Sequence, residues 1–515
     1  MDAWFLIILS IPLCLALHLV LLSYSPNKRR LRLPPGPSTI PFLAKFIWLK
    51  RSIFDIEPIL RQLHAKLGPI VTLRVTSRPA IFIADRNVAH QALVQSGAAF
   101  ADRPPAMEPT RFLTSNQYDI NSSPYGPRWR LLRRNLSSEI LHPSRVKLFA
   151  PARRWVLQIL LDKLKAQAGI KDGVVVVMET FQYAMFCLLV FMCFGEKLDE
   201  KAIREIEAIQ RYLLLTLTEF PIFAFFPRIT KVLFRRRWNE IVAGRKKQED
   251  ICIPLIKARQ NQRQQPGEGS YVYCYVDSLF GIELPEEGGR KLSESEMVNL
   301  CSEFMNAGTD TTATALQWIM ANLVKHQAIQ GKLAEEIKRV VGSEAEVIKE
   351  EDLQKMPYLK AVIMEGLRRH PPGHFLLPHT VTGDMTLNGY LIPTGADVNV
   401  MLAEIGRDEK VWEEPLEFKP ERFLAGGPGE GVDMTGSREI KMMPFGVGRR
   451  MCPGLGLAML HLEFFVANLV REFEWKAVEG EEVDLSEKLE FTVVMKYPLR
   501  ARIFPREARI FPREE

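Results

Sequence analysis

Hydrophobic positions are distributed very unevenly along this chain. Residues 4–22 are apolar apart from Ser10 and His18, a run long enough to cross the hydrocarbon core of a bilayer as a helix. Pro12 is tolerable there, because neighbouring groups can re-satisfy the freed backbone. No small-x-small cleavage pattern follows. Instead Lys28, Arg29, Arg30 and Arg32 flank the run, with only Asp2 in front of it. The pattern predicts an anchor over residues 1–24 rather than a cleaved leader, with the rest of the chain on the cytosolic side. Residues 25–37 read as a basic, proline-rich hinge ending in Leu33-Pro-Pro-Gly-Pro37. Prolines fix φ and remove donors, so this segment is expected to be a stiff extended spacer.

Two short apolar runs at 70–75 and 80–84, joined by Thr76-Ser-Arg-Pro79, predict a β-hairpin. From there to about residue 370 the period is mostly helical. Ser293 and Glu296 form a capping box, and Leu292 can staple onto Met297. The helix they start should run without a proline to about Val324. Another helix should begin at Pro357 and stop at Pro371-Pro372. Residues 258–270, rich in Gln, Arg, Pro and Gly, predict a flexible loop. The aromatic run 220–227, fenced by prolines, fits either core packing or an exposed patch that roofs an access channel and dips into a bilayer. Short strands are expected at 398–401 and 491–495. The sum is a mainly α chain with small β-sheets, one domain over 38–500. A heptad, Ala501-Arg-Ile-Phe-Pro-Arg-Glu507, recurs from Ala508, and 501–515 reads as a duplicated tail without a function.

Composition narrows this picture only a little. Apolar residues at 47% and charged residues at 25% fit a globular protein with a real core. The seven cysteines are scattered and odd in number, which suggests no disulfide framework and a reducing compartment. A net charge of +7 over 515 residues suits an anionic membrane surface or an acidic protein. It is too diffuse to indicate nucleic acid.

The chemistry concentrates in Phe445-Gly-Val-Gly-Arg-Arg-Met-Cys-Pro-Gly454, directly ahead of a helical pattern over 455–473. Gly448 and Gly454 can take backbone angles closed to other residues, so a tight loop can present the Cys452 sulfur. A helix N-terminus behind the sulfur would favour thiolate over thiol. With no second cysteine or histidine at finger spacing, such a sulfur suits an axial iron position better than a zinc site. Lone cysteines are mostly small core residues. Yet Phe, Gly, Arg, Cys and Gly at these spacings would arise from composition on the order of once in ten thousand such chains. Phe445-x-x-Gly448-x-Arg450-x-Cys452-x-Gly454 resembles the haem-binding signature of the cytochromes P450. That resemblance implies that Cys452 ligates haem iron, Phe445 packs beside the sulfur and Arg450 reaches a haem propionate.

Ala307-Gly-Thr-Asp-Thr-Thr312 falls midway along the helix that starts at Ser293, where such residues are weak helix formers. On composition alone it could be a loosened kink whose hydroxyls take over backbone bonds. The six residues match the oxygen-binding motif of the cytochromes P450. The match implies a dioxygen groove at Ala307 and Gly308 and an acid–alcohol pair, Asp310 and Thr311, that delivers protons. Glu365 and Arg368 share a helix face at i and i+3, and the resemblance adds Arg422 as third member of a buried network behind the haem. Trp129 and Arg133 match the family's propionate-binding pair and should point inward. Arg130 and Arg134 should point outward and, with Arg449, form a basic surface for an acidic electron donor. His370 and His374 are not expected to bind zinc, because Pro371-Pro372 forbids the helix their spacing requires. His379 occupies a position where family members donate to the second propionate. Residues 373–378 would line the substrate pocket, together with 101–117, the stretch after Phe220, and 304–312.

Gly454-Leu-Gly456 lacks the third glycine, preceding strand and distal acid of a dinucleotide fingerprint, so electrons must come from outside. Segments such as Ala403-Glu-Ile-Gly-Arg-Asp408 are similar to the plant microsomal group, most of all family 89, subfamily A. The resemblance implies the cytochrome P450 fold behind one N-terminal transmembrane helix, on the endoplasmic reticulum membrane with the catalytic domain in the cytosol. It implies haem b with an axial thiolate. NADPH would serve only through NADPH–cytochrome P450 reductase, with cytochrome b5 as a second candidate donor. Dioxygen and a small, largely apolar organic molecule of plant specialised metabolism would be the substrates. The lipid bilayer would be a partner and nucleic acid would not. Two rival readings are a haem-thiolate isomerase or dehydratase acting on a peroxide, which needs no acid–alcohol pair, and a non-catalytic membrane haem protein.

Overall fold

The computed structural model describes residues 32–37, 56–74, 78–170, 172–218, 222–224, 226–264, 272–342 and 347–506. The anchor expected over 1–24 lies outside them. Among the described residues no helix is long and apolar enough to cross a membrane. The elements that position the site begin with α1 (Glu57–Leu67), β1 (Ile70–Leu73), β2 (Ala80–Ile83), α2 (Pro127–Glu139), α3 (Ala150–Ile170) and β3 (Val174–Val176). Next come α4 (Met178–Phe194), α5 (Glu200–Thr218), α6 (Arg235–Gln264), α7 (Glu294–Lys325) and α8 (Pro357–Arg369). The chain closes with β4 (His379–Thr380), β5 (Asp397–Val400), α9 (Leu455–Glu472), β6 (Phe473–Lys476) and β7 (Arg500–Pro505).

The fold is mainly helical, and its layers follow from which helices are apolar on every side. From Phe181 to Phe194, α4 is buried almost without interruption, and it packs between α3 and α7. α7 starts where the capping box predicts: Ser293 N–H donates to Glu296 Oε2 at 2.7 Å and Glu296 N–H to Ser293 Oγ at 3.3 Å. Residues 312–324 of this helix are all buried, against α4 on one side and α8 and α9 on others. One hydrophobic cluster spans these helices and holds Leu292 and Met297 as well.

Two small sheets flank the helices. In the first, strands run in the order β1-β2-β5-β4, with only β2 and β5 parallel. Its first two strands are the expected hairpin. The second has the order β6-β7-β3 and pairs Phe473 with Pro505 and Ala501 with Val175. The duplicated heptad is therefore not all tail. Ala501 and Ile503 are buried as inward positions of a central strand, and Arg506 Nε donates to Val470 O at 2.8 Å. The second copy lies outside the described residues.

Three other expectations are corrected. The loop predicted to begin at 258 begins later, since α6 continues to Gln264. Gln and Arg are adequate helix formers, and Arg259 is anchored to Asp277 at 2.6 Å, both side chains buried. Residues 32–37 are not a free spacer. Thr72 N–H donates to Pro35 O at 2.8 Å and Leu391 N–H to Arg32 O at 3.0 Å, while a Cβ on Gly36 would collide with the Thr72 carbonyl. Finally, the aromatic run divides. Phe223 is buried against Trp238 with ring centroids 5.2 Å apart. Phe226 is 77% exposed and continues into exposed Ile229, Val232 and Leu233. Phe220, Pro221 and Phe225 lie outside the described residues.

Candidate functional site

The cysteine loop is closed by its own backbone: Cys452 N–H donates to Phe445 O at 2.8 Å. Gly446 (φ 66°) and Gly448 (φ 73°) take the left-handed region, and a Cβ on Gly448 would run into the Leu93 carbonyl oxygen. Gly454 was expected to need such an angle and does not. Its φ of −85° is ordinary, and it serves as the residue ahead of α9, with the Cys452 sulfur 3.8 Å from where a Cβ would sit. Phe445 is half-buried and packs on the main cluster. Burial pushes the Cys452 thiol up, against the Gly454 N–H and the Arg133 guanidinium, which both favour thiolate. Desolvation of a single buried charge is the larger effect.

Cationic and polar groups gather around this loop. Trp129 is buried and its Nε1–H donates to Ile120 O at 3.1 Å. Arg133, one turn on along α2, donates from Nη2 to Met451 O at 2.6 Å. Arg130 and Arg134 are exposed on the opposite face, and exposed Arg449 donates to the Tyr125 hydroxyl at 2.7 Å. Arg450 stacks over the Trp129 ring at 4.4 Å and donates to Ala101 O at 2.7 Å, Ile120 O at 3.2 Å and Ser123 O at 2.7 Å. Burial pushes it down to about 10. His379 is buried in β4, with Nδ1 2.6 Å from Phe100 O. Burial and the nearby Arg103 hold it down to about 3, so the ring is neutral. A neutral ring that spends its N–H on Phe100 has only an acceptor left at Nε2. The expected donation from His379 to a carboxylate would thus require a second proton.

Sequence reasoning missed Arg103. It is buried, donates from Nε to Asn121 O at 2.7 Å and from Nη1 to Leu377 O and Pro378 O at 2.8 Å each, and burial pushes it down to about 9. The stretch 101–117 had been marked as pocket. The available signal was an arginine set between Phe100-Ala101 and Pro104-Pro105.

On α7 the polar motif does not break the helix, which stays α-helical from Glu294 to Lys325. Thr311 Oγ1 donates to Ala307 O at 2.6 Å, doubling a bond the backbone already makes. Ala307 is exposed and Thr311 partly so, on a helix otherwise deeply buried. Gly308 was expected to widen a groove. The hydrogen in place of its Cβ instead admits Leu189 of α4, whose Cδ1 would be 2.7 Å from that Cβ, so the residue serves helix–helix approach. Asp310 Oδ1 accepts from Gln182 at 3.1 Å and lies 3.6 Å from Arg211, which reaches Glu490 at 3.6 Å. Burial pushes Asp310 up against the pull of Arg211.

Glu365, Arg368 and Arg422 are brought together and are buried. Arg368 pairs in fork geometry with Glu365, Nε to Oε2 at 2.6 Å and Nη2 to Oε1 at 2.8 Å. Arg422 Nε lies 3.3 Å from the same Oε1, and Lys419 N–H donates to it at 2.9 Å. The remaining donors reach Gly406 O, Pro415 O, Glu413 O and Glu414 O. His370 stacks on Trp318 at 4.1 Å, His374 Nδ1 meets Glu57 at 2.8 Å, and the two face the Glu487 carboxylate at 3.7 and 3.5 Å.

Comparison with known proteins agrees with this geometry. A family model described as Cytochrome P450 matches residues 34–503. The chain is 53% identical to "Cytochrome P450 89A9" of Arabidopsis thaliana, over 97% of this chain and 98% of that protein. It is 32% identical to the flavonoid 3'-monooxygenase of the same plant, covering 95% and 96%. It is 30% identical to geraniol 8-hydroxylase of Catharanthus roseus, covering 92% and 94%. Among solved structures, a zebra fish cytochrome P450 with progesterone superposes with a TM-score of 0.70 at 23% identity, over 87% of this chain and 99% of that one.

Proposed function

We propose, since this chain belongs to the cytochrome P450 family, that Cys452 is the axial ligand of its haem. The enzyme is a monooxygenase, and we propose a small, largely apolar organic substrate of plant specialised metabolism. One contrast supports the ligand reading. The half-buried sulfur of Cys452 stands beside arginines that are bonded to neutral carbonyls. Among the described residues no group of three or more His, Cys, Asp or Glu could complete a metal shell. Iron at Cys452 therefore needs its other ligands from a macrocycle. Arg103, Arg133 and Arg450 crowd one another, and the two carboxylates of a haem would relieve that crowding. The residues present fit the group. Cys452 would hold the iron, and Trp129, Arg133, Arg450 and Arg103 the propionate side. His379 would join them on taking up a proton.

When bound, haem-thiolate iron supplies reductive activation of dioxygen and transfer of one oxygen atom to a C–H bond, the other leaving as water. The chain's own residues handle protons and exclusion. Asp310 retains a proton to higher pH than an exposed aspartate, and Arg211, half in solvent, links its carboxyl to the outside. Thr311 holds its hydroxyl proton on Ala307 O and would donate elsewhere by turning away from that carbonyl. Exposed Arg130, Arg134 and Arg449 supply positive charge for an acidic electron donor, here assigned to a reductase fed by NADPH. The exposed apolar residues from Phe226 to Leu233 suit a lipid surface, in keeping with the endoplasmic reticulum membrane.

The test is turnover of the full chain with a plant reductase and NADPH against a metabolite extract, read as a product that gains one oxygen atom. Cys452→Ala should abolish the thiolate-type carbon monoxide spectrum, and an unchanged spectrum would remove the ligand assignment. Thr311→Ala should divert electrons to peroxide at the expense of product. Tight coupling in that variant would refute the proton line.

A further inference from the structure

Glu303 takes no part in the chemistry described so far. It stands on α7 one turn before Ala307 and two before Thr311, so the three share a helix face. Its carboxylate accepts two consecutive backbone N–H groups, that of Ile120 on Oε2 at 2.9 Å and that of Asn121 on Oε1 at 2.6 Å. The same run of chain turns its carbonyls the other way. Ile120 O accepts Trp129 Nε1 at 3.1 Å and Arg450 Nη1 at 3.2 Å. Asn121 O accepts Arg103 Nε at 2.7 Å, and Ser123 O accepts Arg450 Nη2 at 2.7 Å. Asp119 closes the run by accepting Ser122 N–H at 2.8 Å and Ser123 N–H at 3.1 Å.

Residues 119–123 are thus a short bridge with carboxylates on its N–H edge and guanidinium and indole groups on its C=O edge. Hydrogen bonding orders both edges at once, because a peptide whose N–H meets a carboxyl oxygen presents a better acceptor carbonyl. A buried acid that only neutralised an arginine would bond it directly, as Glu365 does. The Glu303 oxygens bond amides instead. Burial and the Asp119 carboxyl push Glu303 up to about 8, so the carboxyl is kept where its charge is disfavoured.

We infer that Glu303 is a positioning residue. It fixes the 119–123 bridge, and through it the seats of Arg103, Trp129 and Arg450, tying the helix that bears Asp310 and Thr311 to the side where the propionates would lie. This rests on the haem reading given above. The test uses the full chain with haem, as wild type, Glu303→Gln and Glu303→Asp. Two quantities are read: amide hydrogen exchange of the peptide spanning Ile120 and Asn121, and the rate of haem transfer to apomyoglobin. A glutamine offers one acceptor oxygen and a shorter aspartate reaches one amide. Each variant should therefore raise exchange at that peptide and haem loss about tenfold, with α8 and α9 unchanged. Unchanged exchange in both variants overturns the inference, and so does faster exchange spread evenly over the fold. If wild type takes up no haem with a thiolate spectrum, the haem reading fails, while the exchange data still decide whether Glu303 holds the bridge.

Discussion

Two clusters of arginine, one buried and one largely half-buried, are built on opposite plans. Arg368 and Arg422 converge on one carboxylate, and every other donor they own ends on a carbonyl. Arg103, Arg133 and Arg450 have carbonyls as hydrogen-bond partners, Arg450 repels Arg103 and is repelled by Arg133, and all three are pushed down by burial. In the first cluster one carboxylate bridges two guanidiniums by direct contact. In the second, Asp102, Asp119 and Glu303 act from nearby without a hydrogen bond to a guanidinium. The second cluster therefore reads as open to a ligand's carboxylates and the first as closed within the fold.

The largest effect should come from opening the closed cluster. Glu365→Ala leaves two buried guanidiniums without their anion and should cost about 3–5 kcal/mol, seen as loss of folded protein by circular dichroism and denaturant titration. A loss below about 1 kcal/mol would erase the distinction drawn here. In the second cluster, Arg450→Gln should destabilise the haem-free chain by less than Glu365→Ala does, since no carboxylate is in direct contact with the lost guanidinium. Haem loss to apomyoglobin should rise about tenfold in the same variant. A further effect is a pH slope. His379 is held down to about 3 in the fold, against roughly 6.5 in an unfolded chain. Its folded pKa is depressed, so the unfolded chain binds the extra proton, and stability present above pH 6.5 erodes as pH falls towards 3. Between pH 7 and pH 5 that is about 2 kcal/mol in the haem-free chain. His379→Gln should flatten the slope, and so should bound haem if a propionate lets the ring keep its proton.

The contrast also explains what could be read in advance. Cys452, Phe445, Arg450, Asp310, Thr311 and the Glu365-Arg368-Arg422 set lie in short motifs whose residue types are dictated by their chemistry, and α7 announces itself by its capping box. Arg103 escaped because its partners lie 18 and 274 residues away, and a lone arginine carries no local sign of them. A packing duty of Gly308 went unread for a similar reason: its small size answers to Leu189 on another helix, which no spacing along α7 reveals. Gly454 was credited with a strained angle that Gly446 takes instead, since glycines two turns apart in one loop cannot be ranked by identity. The heptad at 501 looked dispensable as a repeat, yet its first copy fills the middle of a sheet. Strand pairing is decided by β3 and β6, far away in the chain.

The clasp between residues 32–37 and the first sheet has a mechanical consequence. Its hydrogen bonds reach Thr72 in β1 and Leu391 in the neighbouring hairpin, two points set well apart in the chain, so the segment can neither swivel nor slide along one edge. Residues 32–37 thus join the catalytic body as a bracket joins a wall, held at two points rather than one.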